Sequence, residues 1–135
     1  LMKMHTLGHS FRPEPIHAGG LRYHGMAPLV SHVYHLGLVE AIAIPQTECF
    51  AGALQFARTE GIVPAPEPTH AIAAAVREAL ACKESGEEKV ILTALCGHGH
   101  LDLASYDKYL RGEMVDLDLS DEAIADAMKG VPEIA

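Results

Sequence analysis

Two short stretches of the chain are predominantly apolar, and the segments between and after them repeat apolar residues every three to four positions. VEAIAIP, residues 39–45, is stopped by Pro45, and KVILTAL, residues 89–95, shows no alternation of apolar and polar side chains. Such a run predicts a strand covered on both faces, as in a parallel sheet. TECFAGALQFARTEG, residues 47–61, predicts a helix: Phe50, Leu54 and Ala57 fall at helical spacing, Thr47 can cap its start, and Gly61 can close its end. A second helix is predicted from about Pro68 to Glu84, with Ile72, Val76, Ala79 and Leu80 on one stripe. Shorter helices are expected over residues 26–37, over Tyr106–Arg111 and over Ser120–Lys129, the last capped by Ser120 with Asp121 and Glu122 favourably placed against its dipole. Residues 1–37, rich in histidine, glycine and proline, show no sustained period and read as loops and turns around that first short helix.

The order strand, helix, helix, strand, helix is α/β, but two strands are too few for a doubly wound sheet. The expectation is one domain over residues 1–135, with a loop-rich lead-in (1–37), an α/β core (38–112) and an acidic C-terminal helix (113–135). The chain is either a minimal domain or the back half of a larger one. A chain of 135 residues can bury roughly 70% of its unfolded surface, so a proper core is possible.

Charge narrows the partners. The net charge is -8, and no cluster of Lys and Arg offers the basic stripe that nucleic acid requires. Seven acidic residues against Lys129 alone fall between Gly112 and Ala135, the pattern of a solvated face. No apolar run approaches the ~20 residues of a membrane span, and the start does not look like a signal peptide, so a cytoplasmic location is expected. Cys49, Cys82 and Cys96 form no paired framework and are expected as free thiols.

The chemistry gathers at CGHGH, residues 96–100, where the second apolar run ends. Ligands of open parallel sheets bind beyond the carboxyl ends of strands, and Gly97 and Gly99 would let backbone approach one closely. His98, His100 and Asp102 also have a spacing that suits zinc or a two-metal centre, similar to the HxHxDH signature of metallo-beta-lactamase-like hydrolases, but Leu103 stands where the last histidine belongs. Capping or solvated histidines are the plain alternative.

Three blocks in order, TLGHSFRPEPIHAGGLRYHGMAPLVS, TEGIVPAPEPTHAIAAA and VILTALCGHGHLDL, resemble the carboxyl-terminal third of tryptophan synthase beta chains, more closely the second, divergent type. The resemblance implies a partial three-layer sandwich with a short parallel sheet, as in the C-terminal part of a fold type II pyridoxal-phosphate enzyme. It implies a lyase of tryptophan biosynthesis that joins indole to serine or O-phosphoserine. A homo-oligomer is expected on other grounds, because the back half of a sheet leaves an edge strand unpaired and apolar helix faces exposed. In the family a serine hydroxyl bonds the pyridine nitrogen. Cys96 stands there, and a thiol is the weaker partner. Gly97, His98, Gly99 and His100 would complete the cofactor turn. Glu60 matches a glutamate close to the ring, and Glu67 and His70 match further positions. Arg22 replaces an aspartate placed against the substrate hydroxyl, and a guanidinium suits an anionic leaving group. Tyr23 and Gly25 fall where backbone carbonyls hold a monovalent cation. The family's Schiff-base lysine and glycine-rich phosphate loop precede the matched blocks, so the chain alone is expected not to catalyse. The alternative from another class is a non-catalytic module that keeps the fold for dimerisation or ligand binding, and the metal-dependent hydrolase is third.

Overall fold

The computed structural model describes residues 2–133. They form five α-helices: α1 (Pro28–His35), α2 (Gln46–Glu60), α3 (Pro66–Ser85), α4 (Leu103–Leu110) and α5 (Asp121–Met128), with 3-10 turns at Gly19–Leu21 and Gly99–Leu101. Contacts gather into two compact units. One takes the chain up to Pro15, Arg22–Ala43 and the residues from Leu117 onward. The other takes Ile16–Leu21 and Ile44–Asp116.

In the second unit α2 and α3 pack along each other where their side chains are smallest. Gly52, Ala53 and Ala73 are buried, and a methyl group on Gly52 would already touch the Ala73 backbone at 3.6 Å. Phe50 is the centre of the core. Tyr106 meets it edge-on at 5.0 Å, Tyr109 stacks on it at 5.7 Å, and Ala53 and Met114 close the cluster. Both long helices end on glycines in the left-handed region, Gly61 (φ 71°) and Gly86 (φ 73°), whose N–H groups bond back to Ala57 and Cys82. The start of α2 differs from expectation. Pro45 holds the capping position and Thr47 lies inside the first turn. Its N–H and hydroxyl both donate to the carboxylate of Asp116, at 3.0 and 2.6 Å. A side chain distant in sequence thus satisfies a donor that a local cap usually satisfies. On α3 the predicted stripe is buried only at its first end: Ile72 is covered, whereas Ala79 and Leu80 are exposed.

In the first unit, Thr6 and Gly25 form an antiparallel bridge. Leu7 N–H donates to His24 O (2.7 Å) and Met26 N–H to His5 O (2.9 Å). The buried Ser31 of α1 accepts from His5 N–H, so the lead-in is tied down rather than loose. Ser120 caps α5 as its sequence predicts, accepting from Ala123 N–H at 3.2 Å.

The short parallel sheet does not form among the described residues. Residues 39–45 and 89–95 lie outside every helix and strand, and the two isolated bridges, Thr6–Gly25 and Pro64–His98, involve neither. Val90 and Leu92 are 98% and 97% exposed, so the run expected to be covered on both faces is bare. A helix closes its hydrogen bonds within itself, but a strand must take them from a neighbour. An apolar pattern records the wish for such a neighbour without supplying it.

Candidate functional site

Residues 96–100 follow the bare run and turn sharply. Cys96 is an exposed free thiol, and Gly97 takes φ +115°, a conformation that side-chain-bearing residues rarely adopt. The turn is pinned to the segment between α2 and α3 by two backbone bonds, Gly99 N–H to Val63 O (2.7 Å) and Ala65 N–H to Gly97 O (3.1 Å). The fit is close: a Cβ on Gly99 would fall on the Pro64 carbonyl oxygen and within 2.9 Å of a Val63 methyl group, and one on Gly97 would reach Ala65 at 3.2 Å. Gly99 is therefore demanded by its packing against the Pro64 carbonyl and Gly97 by its positive φ, whatever a ligand adds on the other side.

His98 and His100 stand side by side, ring centroids 4.7 Å apart and tilted by 49°, and both are exposed. His98 Nδ1 accepts from the His100 N–H at 3.3 Å, which commits one imidazole nitrogen to holding the 3-10 turn that follows. Among the described residues no three His, Cys, Asp or Glu side chains are grouped to hold a metal. Asp102 instead accepts backbone N–H groups of Ser105 and Tyr106 at the start of α4 through its carbonyl.

Glu60 is the last residue of α2 and is exposed. Glu67, in the first turn of α3, accepts the Gly20 N–H at 2.8 Å and so anchors the Gly19–Leu21 turn. His70, one turn further on α3, is half-buried, and burial holds its pKa below the ordinary value, against the opposing pull of Glu67. Arg22, Tyr23 and Gly25 belong to the first unit. Arg22 and Tyr23 are exposed. The His24 carbonyl is already taken by Leu7 N–H and the Thr6 hydroxyl, which leaves the Tyr23 and Gly25 carbonyls flanking it.

Three features were not read from the sequence. Tyr106 donates its hydroxyl to the Pro64 carbonyl at 2.5 Å, directly behind the turn. His17 and Ser105 bond through Nδ1 and Oγ at 3.1 Å, with His17 set edge-on to Phe50. Gln46 accepts the His17 N–H at 3.2 Å and donates to the Val115 carbonyl. Each links residues far apart along the chain, and no local pattern in the sequence signals it.

No protein-family model matches the chain. Individual proteins do. It is 67% identical over 116 residues to tryptophan synthase beta chain 2 of Aquifex aeolicus, covering 86% of this chain and 27% of that protein. The protein of the same name from Methanosarcina acetivorans is 60% identical over 115 residues (85% and 26%), and that from Pyrococcus furiosus 50% over 131 residues (97% and 29%). Over these spans the chain is similar to proteins named tryptophan synthase beta chain, several of them beta chain 2. It spans about a quarter of the length of these relatives, 26–29%.

Proposed function

We propose that this chain is the carboxyl-terminal portion of a tryptophan synthase beta-type enzyme, a pyridoxal-phosphate-dependent lyase that condenses indole with serine or O-phosphoserine. The observation that carries the reading is the 67% identity over 116 residues, 86% of this chain. When bound, pyridoxal phosphate supplies the electron sink for exchanging a substituent on the β-carbon of an amino acid.

The turn suits one end of that cofactor. Cys96 presents an exposed thiol where the turn begins, as a partner for the pyridine nitrogen that is weaker than a hydroxyl. Gly97 and Gly99, held down on Val63–Ala65, keep the backbone low, and His98 and His100 stand as exposed flanks. Glu60 is assigned the carboxylate close to the ring. The phosphate and the covalent anchor fall to the part of the enzyme outside the matched span. Tyr23 and Gly25 offer backbone carbonyls to a monovalent cation.

Arg22 decides between substrates. A fixed guanidinium stabilises a departing phosphate more than a departing hydroxide, because the phosphate leaves with two negative charges. Charge-assisted contacts in a water-excluding site are worth about 2–4 kcal/mol, or roughly 30- to 1000-fold in rate. In the complete enzyme kcat/KM is measured for serine and O-phosphoserine, with Arg22 and with Arg22→Asp. The expected result is a preference for O-phosphoserine that collapses in the variant. A preference that the substitution leaves unchanged makes Arg22 structural.

A further inference from the structure

The Cys96–His100 turn is shaped by what lies behind it. Pro64 is fully buried and sits between the two residues that pin the turn. As a proline it has no N–H, so its carbonyl is its one polar backbone group, and a buried carbonyl needs a donor. Tyr106 is that donor at 2.5 Å. Tyr106 is itself buried, set by its edge against Phe50 at 5.0 Å and carried on the first turn of α4. Burial, with a smaller contribution from the charge of Asp102, pushes its pKa up to about 12, so the hydroxyl keeps its proton across the ordinary pH range. On its other side the same Pro64 carbonyl oxygen faces Gly99 closely enough to exclude any side chain there.

We propose that Tyr106 is the positioning residue of the Cys96–His100 turn: by donating to the Pro64 carbonyl it seats that carbonyl against Gly99 and so fixes where the Cys96 thiol and the two imidazoles are presented. Its role toward a cofactor ring rests on the reading given under Proposed function. Its role in holding the turn does not.

Two measurements separate them. In the 135-residue chain, hydrogen exchange is followed at the Gly99 and Ala65 amides, the two that pin the turn, and at α2 amides as a control. Tyr106→Phe keeps the ring on Phe50 and removes only the hydroxyl. The pinned amides are expected to exchange about tenfold faster with α2 unchanged, the size of one lost hydrogen bond. No change at those amides overturns the proposal, and so does uniform acceleration through α2, which would make Tyr106 a contributor to general stability only. In the enzyme completed with its missing portion, the absorption spectrum of bound pyridoxal phosphate is compared between Tyr106 and Tyr106→Phe. A displaced spectrum and weaker binding support positioning of the ring, and an identical spectrum and affinity overturn it. If the completed parent enzyme takes up no pyridoxal phosphate, the cofactor reading of the turn fails, and the exchange result alone decides whether Tyr106 holds the turn.

Discussion

His17 and His70 show how single residues tie the second unit to pH. Burial holds both imidazoles below their ordinary pKa of 6.5; Lys108 adds to the effect at His17, and Glu67 opposes it at His70. The folded chain therefore prefers both neutral, while the unfolded chain takes up protons sooner. Their contribution to stability is complete above pH 6.5 and is lost as pH falls through the depressed folded values. Chemical denaturation of the chain between pH 8 and 5 should show stability falling over the acid half, with the slope reduced in His17→Gln and His70→Gln. A profile that is the same in parent and variants would show that neither imidazole titrates differently on folding. Residue types at CGHGH were legible in the sequence as chemistry, but their partners were not. Nothing local in DLASY says that Tyr106 reaches back to Pro64, because that bond is set by where α4 lands on Phe50.

At the scale of elements, helix ends were legible wherever the capping chemistry is local. Gly61 and Ser120 do what their residue types and positions imply, because an αL glycine or a capping hydroxyl acts on its own turn. The start of α2 was misread because its donor finds a carboxylate far along the chain. Asp116→Ala removes both bonds to Thr47 and should cost about 1 kcal/mol, the usual worth of a cap. Asp116→Asn, which keeps an acceptor oxygen, should recover part of it. Urea unfolding followed by circular dichroism measures both, and two variants as stable as the parent would show that α2 needs no remote cap. The predicted strands mark the opposite limit. Their apolar pattern is plain, but pairing depends on a second strand, and residues 39–45 and 89–95 have none among the described residues.

For the whole molecule, the bare run has a physical consequence. Ile91 is partly exposed and Val90 and Leu92 almost fully so, and an extended apolar segment with unpaired backbone groups is a template for pairing with another chain. The isolated chain should self-associate, and Leu92→Lys, which sets a charge in the run, should reduce it. Light scattering across a concentration series checks this. A clean monomer at high concentration in the parent would contradict it.

The most direct test of the central claim is a segment exchange. The matched quarter of the Aquifex aeolicus tryptophan synthase beta chain 2, to which this chain is 67% identical, is replaced by the corresponding residues of this chain, and tryptophan formation from indole is measured with serine and with O-phosphoserine. The account predicts a chimaera that takes up pyridoxal phosphate and makes tryptophan, with the activity lowered by Cys96→Ala more than by Cys96→Ser. A chimaera that folds and takes up the cofactor yet forms no tryptophan from either amino acid would contradict it.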